Sequence, residues 1–239
     1  MNGEFRRLSR REIHDVLYHD PQARADPRTA RAEALYAEAA AGMLAELAEA
    51  GFPVGSAGEL YRERMAYAPA VPILIAWLPR AGYLPLAEDI VRALMVRFAR
   101  IPATPPLLAW FRDPPPVSDP TRPPDSPSAP REHLRWVIGL ALGGHATPAI
   151  ADELIALALE REYGVARTEI VASLPKTKDP RVPDVLLGLL DDPAVGAYAV
   201  RALARLRHEA AKPVIEALVD SPDVNLRAAA RKALKRLGD

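Results

Sequence analysis

Over residues 179–239 the apolar and polar positions fall into the same block pattern twice. The first block reads PRVPDVLLGLLDDPAVGAYAVRALARL and the second AAKPVIEALVDSPDVNLRAAARKALKRL, with Pro183 and Pro213 heading them thirty residues apart. Each block predicts a short apolar helix, an acidic turn ending in or holding a proline, and a second helix rich in Ala, Leu and Arg. A pair of helices this short cannot bury its own apolar face, so it has to stack on a neighbour built the same way. The pattern therefore predicts an all-α solenoid.

Earlier units follow the pattern more loosely. AVPILIAWL, from Ala70, predicts a first outer helix, and LAEDIVRALMVRFAR its inner partner. A second unit opens with ATPPLLAWFRD at Ala103–Asp113 and resumes with REHLRWVIGLALG from Arg131. A third opens at Ala146-Thr147-Pro148 and runs IADELIALALERE, then GVARTEIVASL. The opening prolines stand at 105, 148, 183 and 213, with gaps of 43, 35 and 30. Residues 114–130, PPPVSDPTRPPDSPSAP, lengthen the first gap. With eight prolines this stretch predicts an extended or disordered surface insertion at a hairpin tip; a Pro-x-x-Pro ligand for an aromatic groove is the functional alternative. Thr147, Asp192 and Ser221 each stand before a proline, where a capping side chain is expected. Gly143-Gly144 reads as a helix stop.

The N-terminal part shows no hairpin period. Ser9-Arg10-Arg11-Glu12 and Ser56-Ala57-Gly58-Glu59 have the spacing of capping boxes. Between them a long alanine-rich helix is predicted from Thr29 to Ala50, with Leu35, Ala39, Met43, Leu44 and Leu47 as its apolar stripe and Gly51 after its end. Residues 1–66 are expected to cap the stack, and residues 67–239 to hold the repeats with the 114–130 insertion.

SPDVNLRAAARKALKRLGD, at Ser221–Asp239, resembles the second half of a short HEAT repeat, the type also found in phycobilisome lyase-like proteins. The matching features are the acidic-proline turn, the aliphatic–Arg step Leu226-Arg227, and the small and leucine positions Ala230, Ala233, Leu234 and Leu237. DDPAVGAYAVRALARL is similar, with Gly196 near the position of the early arginine. The resemblance implies a right-handed α–α superhelix of the HEAT/armadillo-like solenoid type, about five helical hairpins long, with an N-terminal helical cap. It also implies a scaffold or adaptor role, with the second helices lining a concave face. Some relatives of this type act on a chromophore and one bacterial group excises alkylated bases from DNA, but no catalytic motif in this sequence matches either activity.

Composition narrows the chemistry. The 239 residues include no cysteine, which excludes disulfides, thiolate metal sites and a cysteine nucleophile. The start, MNGEFRRLSRREI, lacks the apolar region of a secretory signal, and no apolar run approaches the ~18 residues that cross a membrane. A cytoplasmic chain without membrane contact is expected. No nucleophile elbow, Walker lysine or dinucleotide fingerprint occurs. His14 and His19 are five apart, off the spacing of a metal-binding pair, and the histidines (with His133, His145 and His208) read as surface or capping residues. Glu132, Arg135 and Trp136, with Asp113 and Trp110, form a possible base-excision set; against it, Trp77, Trp110 and Trp136 sit in apolar stripes, where aromatics are usually core. No enzyme activity, cofactor or metal is expected.

Formal net charge is zero, with 31 basic and 31 acidic residues, but the charges are segregated. Outer segments 147–163, 179–193 and 209–223 each carry four acids and one base, whereas inner segments 164–178, 194–208 and 224–239 carry +2, +3 and +4. Arg227, Arg231 and Lys235 recur at i, i+4 and i+8 on the last helix. Arg201 and Arg205 repeat the step one unit earlier, and Arg167 extends the line. This basic stripe fits an acidic or phosphorylated protein partner, or a nucleic-acid backbone as the alternative. The same arginines can instead pair with turn acids of neighbouring repeats, such as Asp191, Asp192, Asp220 and Asp223.

Overall fold

The computed structural model describes residues 27–238. The Ser9–Glu12 box, His14 and His19 lie outside them. Among the described residues the fold is all-α, and the only extended pairing is an isolated bridge between Tyr83 and Ser118.

Among the described residues the first two helices are α1 (Pro27–Glu49) and α2 (Ala57–Arg62). α1 buries Ala40, Met43 and Leu47. It ends where Gly51 takes φ +90°, a left-handed conformation that glycine adopts without a Cβ penalty. Ser56 caps α2, its Oγ accepting from the Glu59 amide at 3.3 Å, while Glu59 reaches back to the Gly55 amide at 3.0 Å.

Five hairpins follow. They pair α3 (Val71–Trp77) with α4 (Leu84–Ala93), α5 (Arg100–Arg112) with α6 (Pro130–His145), α7 (Ala151–Leu159) with α8 (Thr168–Ser173), α9 (Val182–Leu187) with α10 (Gly196–Leu206), and α11 (Lys212–Glu216) with α12 (Val224–Gly238). Short 3-10 turns lead into α3, α5, α7, α8 and α11. The even-numbered helices form an inner row in which α2, α4, α6, α8, α10 and α12 each pack on the next. α1 packs on α3 and α3 on α5 in the outer row, and α1 also touches α4. The core runs between the rows, from Met43 and Leu74 through Phe111, Ile138 and Leu203 to Ala230. This is the architecture of a HEAT-like solenoid.

The second unit departs from the predicted boundaries. α5 begins at Arg100, so Pro105 and Pro106 lie inside it and not in its first turn. Two amide donors are missing there. Thr104 Oγ1 donates to the Arg100 carbonyl at 2.6 Å in the same weakened turn.

α6 continues through Gly143-Gly144 to His145, so these glycines do not stop it. Gly139 and Gly143 are instead points of close approach. A Cβ on Gly139 would stand 2.3 Å from the Ala166 carbonyl oxygen, and one on Gly143 would stand 2.6 Å from Glu169 Cγ. Their spacing of four puts both on the face that α8 and its leading turn press against.

The proline-rich segment is more closely held than a hairpin-tip insertion needs to be. The Ser118 amide donates to the Gly82 carbonyl at 2.9 Å, and the Leu84 amide donates to the Ser118 carbonyl at 2.9 Å. Pro114 and Pro115 are buried, and Arg131 Nε donates to the Pro114 carbonyl at 2.7 Å. The segment is thereby strapped onto the start of α4. The capping expectations divide. Thr147 makes no side-chain cap. Asp192 Oδ1 accepts from the Ala194 amide at 2.9 Å. Asp223, not Ser221, caps α12, accepting from the Asn225 and Leu226 amides at 2.7 and 3.1 Å.

Candidate functional site

Three of the basic residues singled out in the sequence are taken up by the fold. Arg167 is 1% exposed. Its guanidinium donates to Asp192 Oδ2 at 2.8 Å, to the Ala158 carbonyl at 2.8 Å and to the Gly164 carbonyl at 3.1 Å. It lies between the third and fourth hairpins and is absent from any exposed stripe. Arg227 bonds back to the Ser221 carbonyl in the turn before its own helix. Arg231 stands 3.7 Å from Asp220, an exposed pair. Lys235 is exposed.

The groove between α10 and α12 joins two residues of the predicted stripe, Arg201 and Arg205, to two others. Arg201 and Arg205 on α10 face Lys232 and Arg236 on α12 across a floor of Ala204, Ala229 and Ala233, around a cavity of about 210 Å³. Among the described residues no carboxylate lines it. Each pair of cations is four residues apart, so both helices present their cations one above the other. The alanines let the two helix backbones approach and leave the long basic side chains as walls. Arg201 lies 5.1 Å from the centroid of the Tyr198 ring, and Arg205 donates to the Ala172 carbonyl at 3.1 Å, one repeat back.

The stripe Arg227–Arg231–Lys235 is thus one residue out of phase with the groove. Lys232 and Arg236 are the residues that sequence reasoning missed. The signal that could have found them is the alanine pair Ala229/Ala233, which marks the face of α12 turned to α10; Lys232 and Arg236 flank that pair.

Several other cations of the inner row are engaged. Arg92 pairs with Glu88 at 3.4 Å. Arg131 pairs with Asp113, and Arg135 pairs with Glu132 while its Nε donates to the Phe111 carbonyl at 2.9 Å. Lys176 donates to the Gly143 carbonyl at 3.0 Å. The set Glu132, Arg135, Asp113 therefore closes the end of α5 onto the start of α6. Trp110 and Trp136 pack partly buried against the core. A second cavity, of about 390 Å³, lies beside Trp136, Tyr163 and Val165.

Turn acids do pair between repeats, chiefly with arginines outside the inner helices. Arg161 meets Asp191 at 2.8 Å, and Arg181 bridges Asp179 and Asp152. Burial acts to raise the Asp192 carboxyl, but the Arg167 hydrogen bond, the Ala194 amide and the Arg161 charge together hold it below its ordinary value. Farther up the chain, Tyr36 and Tyr61 donate to the two oxygens of Asp89 at 2.9 and 3.1 Å. Burial and the Asp89 charge push the Tyr61 hydroxyl up to about 12.

His145 is buried at 1% exposure, which corrects its reading as a surface histidine. Its Nε2 faces the Leu94 carbonyl at 2.9 Å and its Nδ1 faces Thr104 Oγ1 at 3.0 Å. Desolvation, with a smaller push from Arg100, lowers its pKa despite the Leu94 carbonyl. Among the described residues no group of three or more His, Cys, Asp or Glu could hold a metal ion, and no helix is long and apolar enough to cross a membrane.

Residues 191–239 match the family model for HEAT repeats. The match covers the turn before α10, all of α10, the α11–α12 hairpin and so both walls of the basic groove. The C-terminal part of the chain is thus similar to HEAT repeats, which generally mediate protein interaction. No curated protein and no solved structure matches the chain.

Proposed function

We propose that the chain is a non-enzymatic interaction protein that holds an acidic partner on its inner helix row, at the groove between α10 and α12. The observation that carries this reading is the convergence of Arg201, Arg205, Lys232 and Arg236 on one cleft with no carboxylate among the described residues of its lining. Cations that served only to hold the stack together would have acids facing them, as Arg131, Arg161, Arg167 and Arg181 do. The HEAT-repeat match supports a binding role.

Charge reversal tests the proposal. Lys232→Glu with Arg236→Glu is expected to remove the partners that co-purify with the chain, with helix content unchanged by circular dichroism. Arg227→Glu with Arg231→Glu is expected to leave them bound. The reading fails if the first pair leaves every partner in place.

A further inference from the structure

We infer that the group seated between α10 and α12 is a phosphoryl group carried on a serine or threonine of the partner protein. This rests on the reading of the groove as the docking site for an acidic partner, and names the anion it takes.

Size is the first argument. A helix with its side chains is about 10–12 Å across, so what enters an open cleft of about 210 Å³ is a side chain and not a helix body. The cleft admits a single side chain reaching down from a segment that crosses above. Charge is the second. One carboxylate brings a single negative charge and two oxygens to four cations. A phosphomonoester brings about −1.5 to −2 and three strong acceptor oxygens, which suits a cleft walled from both sides.

The third argument is the kind of cation. Three of the four are arginines, whose planar forks donate two parallel hydrogen bonds to a tetrahedral oxyanion. Two of them are held before any ligand arrives: Arg201 by the Tyr198 ring at 5.1 Å and Arg205 by the Ala172 carbonyl at 3.1 Å. Less side-chain freedom is then lost on binding. Ala204, Ala229 and Ala233 place nothing larger than a methyl group at the floor.

The extent of the basic surface separates this from nucleic-acid binding. Proteins that track a phosphate backbone commonly neutralise about 6–10 phosphates. Here Arg92, Arg131, Arg135, Arg167 and Lys176 toward the N-terminus all have partners, so the inner row offers no continuous track of free cations, and the four that converge on the α10–α12 cleft suit one phosphate.

The test uses the full chain and one degenerate peptide library synthesised with phosphoserine, serine or glutamate at its central position. The phosphoserine library is expected to bind at least about tenfold tighter than either of the others. That preference is expected to vanish in Lys232→Glu/Arg236→Glu, or in Lys232→Gln/Arg236→Gln if the first pair unfolds, and to persist in Arg227→Glu/Arg231→Glu.

Equal binding of the glutamate library overturns the phosphoryl assignment and leaves the acidic-partner reading standing. No binding by any library at ~50 mM salt, where surface charges are least screened, overturns both. Thermal protection by inorganic phosphate equal to that by the phosphoserine library overturns the partner-borne source in favour of a small anion. Preference for a single-stranded oligonucleotide, lost steeply between ~50 and ~200 mM salt, overturns the assignment in favour of nucleic acid.

Discussion

Arg167 and Asp192 meet at 2.8 Å with their side chains 1% and 3% exposed, joining the turn before α8 to the turn before α10. Both groups are otherwise satisfied: the arginine by two carbonyls, the carboxylate by the Ala194 amide. Removing one partner leaves a buried charge without its counterion. Arg167→Met is expected to lower unfolding stability by about 3–5 kcal/mol, measured by urea titration. It is expected to leave the groove's ligand preference unchanged in the protein that remains folded.

The same pair sets the acid limb of stability. The folded pKa of Asp192 lies below its ordinary value of 3.8, so its contribution is fully present above pH 3.8 and is lost as pH falls through the folded value. Asp192→Asn should be less stable at neutral pH and show a shallower loss of unfolding midpoint below pH 4, a difference that thermal melts across that range will report.

His145 acts nearer neutrality. Its folded pKa lies below 6.5, so the protein is most stable with the imidazole neutral, and stability falls as pH drops below 6.5 toward the folded value. A melting temperature that declines from pH 7.5 to 5.5 in the native chain, and declines less in His145→Gln, is the expected result.

Adjacent glycines in α6 should respond in opposite directions. Gly143→Ala puts a methyl 2.6 Å from Glu169 Cγ and 2.8 Å from the Glu169 carbonyl oxygen, and should cost about 1–3 kcal/mol through overpacking. Gly144→Ala meets nothing within 4 Å and should gain up to about 1 kcal/mol from helix propensity. Chemical denaturation of the two variants checks both signs.

Much of the architecture was legible in residue order. The repeated blocks around Pro183 and Pro213 predicted α9 to α12, and Ser56 and Gly51 marked a real start and a real stop. Reading failed where tertiary contact overrode local chemistry. Gly143-Gly144 looked like a helix end, yet the first of these glycines is needed for the approach of α8. Pro105 looked like a helix start, yet α5 forms around it. The pairing of a stripe arginine with a turn acid, by contrast, was legible: Asp192 is half of the buried pair with Arg167.

The site was legible only as a charge. The segment totals pointed to the last inner helices, but spacing alone cannot phase a helix on its neighbour. Arg227, Arg231 and Lys235 share one face as truly as Lys232 and Arg236 share another. Burial of Ala229 and Ala233 at 2% each decides which face looks at α10. Gly196 is a related case. A Cβ there would lie 2.6 Å from the Leu190 carbonyl oxygen, so the arginine of the repeat pattern has no room at that step.

The separation of acids to outer segments and bases to inner ones over residues 147–239 sets up a charge dipole across the two layers of the last three repeats, in a chain of zero formal charge. Such a protein is neutral to a titration but not to a surface. At pH 7 and low ionic strength it is expected to be retained on a cation exchanger through the α10–α12 side, and to turn its acidic back to an anion exchanger. In solution the same dipole would orient it before contact, presenting the groove first to any anionic partner that approaches within about a Debye length.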